Sequence, residues 1–92
     1  MTPIRLHIVA SGRVQGVGYR YFCQDAAVSS RITGWARNLP DGTVHIEAQG
    51  NQQEMADFCR QLAAGPATAR VRDLQRREIP IHPDEDGFRV LF

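Results

Sequence analysis

The segment "IRLHIVASGRVQGVGYRYF", residues 4–22, is the most informative about the fold, because it predicts a strand, a flexible connection and the start of a helix in succession. Its first seven residues alternate, with Ile4, Leu6, Ile8 and Ala10 on one side, which is typical of a half-buried strand. Glycines at 12, 16 and 18 follow, and a helical pattern starts at residue 21. The chain therefore begins with the first half of a β-α-β unit.

Two segments have the spacing of amphipathic helices. Residues 21–32 carry small and apolar side chains at i, i+4 spacing, and residues 51–64 carry apolar side chains at i, i+3, i+4, i+7. Asn51 and Glu54 form a capping-box pattern at the start of the second helix. Gly34 and Gly65 are the predicted stops of the first and second helix.

The remaining segments predict strands. Residues 35–48 read as a hairpin around a Pro-Asp-Gly turn. Residues 67–79 predict a strand whose alternation slips near Asp73–Leu74, which indicates a bulge. Residues 88–92 predict a short final strand.

The predicted order is β-α-β-β-α-β plus a short C-terminal strand. Two βαβ halves in 92 residues indicate an α+β fold, the ferredoxin-like sandwich. We expect an antiparallel sheet with two helices on one face and the first and third strands in its centre. Residues 1–92 are predicted to form a single domain, because this length is enough for one core and not for two.

Composition narrows the class of function. The formal net charge is +1, which predicts no bulk affinity for nucleic acid or for a membrane. The first residues lack a cationic leader, and no apolar run approaches the about 20 residues of a membrane span, so a cytoplasmic protein is expected. Cys23 and Cys59 lack CxxC spacing and are predicted to be buried free thiols. We expect a monomer.

The residues of the glycine loop are consistent with two interpretations. Glycine permits successive backbone N–H groups to face one concave side, and a following helix adds the positive end of its dipole. Arg20, near the first helical turn, adds a planar guanidinium that can bind phosphate oxygens in a fork. The loop is then an oxyanion or phosphate cradle. A tight turn required for chain reversal accounts for the glycines equally well.

Asn38 is the second candidate site residue. The first and second strands run parallel in the predicted fold, so the glycine loop and Asn38 leave the sheet at the same edge. A carboxamide offers a donor and an acceptor and can orient water without acting as a base. Asparagine is also common at the start of turns such as Pro40-Asp41-Gly42, and this alternative stays open.

The segments "GRVQGVGYR" at 12–20 and "GWARNLPDGTV" at 34–44 together resemble the acylphosphatase family, and the resemblance covers essentially the whole chain. It implies hydrolysis of the carboxyl-phosphate bond of small acyl phosphates. It also implies two catalytic residues, Arg20 binding the substrate phosphate and Asn38 positioning the attacking water. The phosphate-binding residues that it implies are Gln15, Gly16, Val17, Gly18, Tyr19 and Arg20.

Three positions depart from the common pattern of that family. Tyr19 stands where phenylalanine is frequent, which adds a hydroxyl group. Ser30 and Arg31 occupy a helix end that is apolar and contains glycine in many members. These changes bear on helix packing and leave Arg20 and Asn38 in place.

An acyl phosphate needs few catalytic groups. Its leaving group is a carboxylate, which needs little protonation, and the transition state spreads negative charge over the phosphoryl oxygens. Positioning and electrostatics can therefore supply most of the catalysis. We expect in-line attack on phosphorus by water held at Asn38, with the substrate phosphate accepting the proton. The small-molecule substrate is the only partner expected, with no metal and no cofactor.

Two other functions are compatible with parts of this pattern. An RNA-recognition motif shares the element order, but it requires aromatic side chains on its central strands, and neither "IRLHIVA" nor "TVHIEA" has one. A regulatory or carrier domain would bind an acyl or carbamoyl phosphate without hydrolysing it. Such modules resembling this family occur in larger hydrogenase-maturation proteins, and a chain of 92 residues favours a standalone enzyme.

The other polar groups have ordinary structural interpretations. Arg5 and His7 are expected to face solvent, and the three histidines, at 7, 45 and 82, are expected to lie apart. The acidic run at 84–86 is predicted to be a solvated turn. The basic residues of the late strand indicate a salt-bridged or edge-protecting surface, with substrate steering as the alternative. They are Arg70, Arg72, Arg76 and Arg77.

Overall fold

The structure is a computed structural model that describes residues 2–92 and confirms the predicted order of elements. Its strands are β1 (Ile4–Arg13), β2 (Thr33–Asn38), β3 (Val44–Gly50), β4 (Arg70–Ile79) and β5 (Phe88–Leu91). Its helices are α1 (Tyr19–Ser30) and α2 (Gln52–Ala64).

The strands form one sheet in the order β4-β1-β3-β2-β5, with β1 and β3 in its interior as predicted. β1 pairs antiparallel with β3 and β4, and β2 pairs antiparallel with β3. The predicted antiparallel sheet is confirmed for β1 to β4, whereas β5 pairs parallel with β2, so the sheet as a whole is mixed. The reason is that β4 ends at the end of the sheet where β2 begins. A chain that crosses the sheet there starts β5 in the direction of β2.

Both helices cover one face of the sheet, as predicted. Asn51 and Glu54 form the predicted capping box: the Asn51 side chain accepts from the Glu54 amide at 2.8 Å, and the Glu54 carboxylate accepts from the Asn51 amide at 3.0 Å. Cys23 and Cys59 are buried free thiols, and burial raises the pKa of Cys23 to about 12. Besides the two cysteines, the buried hydrophobic residues of the helices and central strands are Ile8, Ala10, Tyr19, Ala26, Ala27, Val44, Ile46, Ala48, Met55, Phe58 and Leu62.

Element bounds near the glycine loop differ from the prediction. β1 continues to Arg13, and α1 begins at Tyr19 instead of residue 21. The helix ends at Arg31, which has a left-handed φ of 59°, so the predicted stop at Gly34 was wrong. Gly34 lies inside β2, where an added Cβ would be 1.8 Å from the Glu47 carbonyl oxygen. Close approach of β3 explains this glycine.

The predicted irregularity of β4 lies next to its predicted position. Ser11 pairs with Asp73 and Gly12 pairs with Val71, so Arg72 has no partner on β1. A bulge of this kind bends and twists the strand. It brings the last pair of the ladder, Arg13 with Arg70, to the start of the glycine loop.

The helix-free face of the sheet carries polar clusters that the sequence did not predict. Arg5 points away from the helices but is only 2% exposed, because the segment after β4 covers it. Its guanidinium donates to Glu85 at 2.8 Å and to Glu47 at 2.9 Å. The predictions of a solvated Arg5 and of a solvated turn at Glu85 were therefore wrong. His7 and His45 are also not apart, since their ring nitrogens are 3.2 Å from each other.

Candidate active site

The glycine loop joins the end of β1 at Arg13 to the start of α1 at Tyr19. Gly16 and Gly18 have φ of 72° and 78°, and an added Cβ at either position meets no atom within 4 Å. Within residues 2–92, the amides of residues 15–18 donate to no backbone acceptor. The first turn of α1, which follows directly, has no side-chain cap. Because these N–H groups and the helix dipole favour an anion, the loop has the chemistry of an oxyanion cradle.

Two hydrogen bonds fix the loop from the side of α2. The Thr68 hydroxyl donates to the Val17 carbonyl oxygen at 2.8 Å. The Tyr19 hydroxyl donates to the Leu62 carbonyl oxygen at 2.8 Å. Burial, with smaller effects of Cys23 and Cys59, raises the pKa of Tyr19 far above its ordinary value, so this phenol stays protonated and serves as a donor.

Arg20 is the second residue of α1 and is held by the end of the chain. Its Nη1 donates to the Leu91 carbonyl oxygen at 2.6 Å. The centre of its guanidinium lies 4.8 Å from the Phe92 ring centroid, which is a cation–π contact. These two contacts orient the guanidinium and leave other N–H donors free. Sequence reasoning missed Leu91 and Phe92, because nothing in the short final strand indicates which helix it contacts.

Asn38 is the last residue of β2 and lies at the same end of the sheet as the glycine loop, as predicted. Its Oδ1 is buried and has no hydrogen-bond partner within residues 2–92. Buried carboxamide oxygens are nearly always paired in folded proteins. An unpartnered acceptor at this end of the sheet is therefore suited to a water molecule or a ligand.

One cavity of about 100 Å³ brings these groups together. Its lining contains no carboxylate and no histidine, and its only permanently charged group is Arg20. The cavity can therefore attract an anion but holds no side chain suited to act as a base at neutral pH. The residues that line it are Val14, Gly16, Gly18, Tyr19, Arg20, Tyr21 and Asn38.

Gln15 and Val17 lie beside this cavity and do not line it. The Gln15 carboxamide points to the β2–β3 hairpin, where Nε2 donates to the Leu39 carbonyl oxygen at 2.7 Å and to the Thr43 carbonyl oxygen at 2.9 Å. Leu39 follows Asn38 directly. The side chain of Gln15 thus connects the glycine loop to the hairpin that carries Asn38. No sequence pattern indicates this contact, because it joins segments that are far apart in the chain.

Within residues 2–92, no three histidine, cysteine or acidic side chains lie close enough to form a metal site. No helix in the same residues has the length and apolar character needed to cross a membrane.

The acylphosphatase family model matches residues 6–90. This chain belongs to the acylphosphatase family. It is 43% identical to an acylphosphatase of Chlorobaculum tepidum over 91 residues, which are 99% of each chain. It is 41% identical to one of Geobacillus thermodenitrificans over 88 residues, 96% of this chain and 94% of the relative.

Solved structures agree with the assignment to the acylphosphatase family. The crystal structure of acylphosphatase from Bacillus subtilis matches with a TM-score of 0.92 and 31% identity, covering 97% of this chain and 99% of that one. A structure of HypF from T. kodakarensis matches with a TM-score of 0.85 and 28% identity. That match covers 97% of this chain but 12% of HypF, so the same fold also occurs as part of a larger chain. The family and the fold expected from the sequence are both confirmed.

Proposed function

We propose that this member of the acylphosphatase family hydrolyses the carboxyl-phosphate bond of acyl phosphates, with Arg20 and the amides of residues 15–20 binding the phosphoryl group and Asn38 orienting the water. The observation that carries this proposal is the buried, unpartnered Oδ1 of Asn38, which borders the same small cavity as Arg20 and the start of α1. The proposal is further supported by the loop amides, which have no backbone acceptor within residues 2–92 and lie next to this cavity in the chain.

Binding of the phosphoryl group rests on fixed donors. The amides of the loop and of the first helical turn are oriented by the backbone, and the guanidinium of Arg20 is held by Leu91 and Phe92. Such preorganised donors stabilise negative charge in the transition state without reorganising during the reaction. Arg20 and the loop therefore supply the charge compensation.

The reaction is an in-line displacement at phosphorus. The water oxygen, aligned by a hydrogen bond to Asn38 Oδ1, attacks phosphorus while the bond between phosphorus and the acyl oxygen breaks. The electron pair of that bond leaves with the carboxylate, and a proton of the water passes to a phosphate oxygen. A dianionic acyl phosphate and water thus give one carboxylate and one dihydrogen phosphate, so charge and atoms balance. A side-chain base is not needed, in agreement with the cavity lining.

Steady-state kinetics on benzoyl phosphate in the presence of EDTA test the two roles separately. Asn38→Ala is expected to lower kcat by about 100-fold with a small change in KM, because it removes an alignment made in the transition state. Arg20→Gln is expected to raise KM and to lower kcat, because the guanidinium contacts the phosphate before and during the reaction. Gln53→Ala and Arg60→Gln, two changes on the exposed side of α2, serve as matched controls. A near-normal kcat for Asn38→Ala would rule out the water-positioning role.

The same assay separates hydrolysis from binding alone. A domain that binds the acyl phosphate without turnover would release no phosphate above the uncatalysed rate, while inorganic phosphate would still compete for the site.

We further infer that residues 1–92 act as one cytoplasmic, monomeric domain without nucleic-acid or membrane partners. The net charge of +1 supports the lack of nucleic-acid and membrane partners, and the lack of aromatic side chains on β1 and β3 argues against RNA in particular. Size-exclusion chromatography measures the oligomeric state. An RNA-binding assay over a range of salt concentrations tests the expected lack of a nucleic-acid partner.

A further inference from the structure

A second cavity lies on the other side of the glycine loop. It has a volume of about 430 Å³ and is lined by Arg13, Gly16, Val17, Ala67, Thr68 and Arg70. Gly16 borders both this cavity and the smaller one that contains Arg20 and Asn38. A ligand held at the loop can therefore extend from one cavity into the other.

The sheet topology places the two cavities on opposite sides of the loop. The loop leaves β1, which has β4 on one side and β3 followed by β2 on the other. Asn38 ends β2, whereas Arg70 begins β4 and pairs directly with Arg13 of β1. Asn38 and the two arginines thus flank the loop from opposite directions.

In-line geometry determines on which side of the glycine loop the acyl group of the substrate lies. The attacking water and the leaving oxygen lie on opposite sides of phosphorus. If the water is held at Asn38, as in the proposed function on which this inference rests, the acyl group points toward β4. The cavity beside Arg13 and Arg70 lies on that side, and its volume exceeds that of the phosphoryl cavity.

Arg13 and Arg70 place two positive charges at directly paired positions of neighbouring strands. Like charges directly opposite each other on neighbouring strands destabilise a sheet. Both side chains are exposed, and neither forms an ion pair with a carboxylate within residues 2–92. Two unpaired guanidinium groups on the wall of one cavity form a site for a carboxylate or a similar anion.

We propose that this cavity receives the acyl group and that Arg13 and Arg70 select acyl phosphates whose acyl part carries its own negative charge. The phosphoryl group stays with Arg20 and the loop amides, while a distal carboxylate meets the two arginines. Neutral acyl groups fit the same cavity but gain no ion pair there.

A pair of aromatic substrates tests this selectivity. 4-Carboxybenzoyl phosphate and 4-methylbenzoyl phosphate differ in the charge of the para group, and a para carboxylate cannot reach its own acyl carbon. The measured quantity is the ratio of kcat/KM for the charged substrate to kcat/KM for the neutral one. Both substrates carry the same phosphate group, so its electrostatic attraction to the protein cancels in this ratio.

The wild-type ratio is expected to exceed one, and Arg13→Gln and Arg70→Gln are each expected to lower it by about tenfold. Arg70→Lys should keep most of the ratio, and Arg70→Glu should bring it below one. Arg60→Gln removes the same charge from the exposed side of α2 and should leave the ratio unchanged. Thermal unfolding of each variant checks that it is folded, which is expected because both positions are exposed.

Two negative results have separate meanings. Hydrolysis of both substrates with a ratio that Arg13→Gln and Arg70→Gln do not change would overturn the acyl-site proposal and leave the proposed function standing. Hydrolysis of neither substrate by the wild-type protein would overturn the proposed function and this inference with it.

Discussion

The Arg20 guanidinium donates a hydrogen bond to the main-chain oxygen of Leu91 across 2.6 Å, although 71 positions separate the two residues in the chain. β5 thereby contributes directly to the candidate active site. Its parallel pairing with β2 places Leu91 opposite Arg37, the residue before Asn38. The final strand therefore supports both sides of the phosphoryl cavity.

Phe92 is expected to contribute to phosphate binding through Arg20. Phe92→Leu removes the aromatic face 4.8 Å from the guanidinium and should raise KM by about threefold with a smaller effect on kcat. Phe92→Tyr keeps the ring and serves as the control. Since the Phe92 side chain is exposed, neither change should alter stability, which thermal unfolding can verify. An unchanged KM for Phe92→Leu would contradict the role of this contact.

Gln15 is expected to act as a positioning residue for Asn38. Gln15→Met keeps the length of the side chain but removes both donors to the hairpin, so kcat should fall about tenfold while KM changes little. The hairpin itself should persist, because Leu39 and Thr43 are also joined by a backbone hydrogen bond of 2.9 Å.

A double variant distinguishes positioning from a general loss of structure. If Gln15 acts through Asn38, Gln15→Met should cost little more activity in an Asn38→Ala background. Gln53→Met, an exposed change of the same type, is the control. Independent, multiplying losses in the double variant would refute the proposed coupling.

Arg31 is expected to limit stability. It holds a left-handed φ of 59° at the end of α1, a conformation that costs free energy for any residue with a Cβ. Arg31→Gly should therefore increase the free energy of unfolding by about 1 kcal/mol, measured by urea denaturation. Val28→Gly, on the exposed side of the same helix, should lower it by about 0.5 kcal/mol. A loss of stability in Arg31→Gly would show that the side chain makes a compensating contact.

The ion pair of Arg5 and Glu85 is expected to make stability depend on acid pH. Burial alone would raise the pKa of Glu85, but hydrogen bonds from Arg5 and Thr33 and the charge of Arg5 hold this pKa below its ordinary value of 4.5. The folded state then binds fewer protons than the unfolded state. The stabilisation is complete above the ordinary pKa and is lost as the pH falls through the lowered one.

Glu85→Gln tests this pH dependence. The variant should lose about 1–3 kcal/mol of unfolding free energy at pH 7, and the difference from the wild type should be smaller at a pH well below 4.5, the ordinary pKa of this carboxyl. Glu78→Gln, which removes a carboxylate from an exposed strand position, is the control. A wild-type advantage that is equal at both pH values would exclude Glu85 as the titrating group.

The order of elements, the helix-covered face and the two candidate residues of the site could all be predicted from the amino-acid sequence. Alternating and i, i+3, i+4 patterns fix local structure and the buried side, because they follow from the geometry of a strand or a helix. The paired segments around Arg20 and Asn38 carried the family resemblance. Because β1 and β2 were predicted to run in the same direction, the glycine loop and Asn38 were expected at the same end of the sheet.

The direction of β5, the burial of Arg5, the contact of His7 with His45, and the contacts of Gln15 and Arg20 could not be predicted and became visible in the folded chain. Each depends on where a distant segment crosses the sheet, and periodicity contains no information about such crossings. Arg13 facing Arg70 is a further case, since a bulge at Arg72 sets the register of that pair. Local patterns specify which side of an element is buried; the path of the connections specifies which side chains meet.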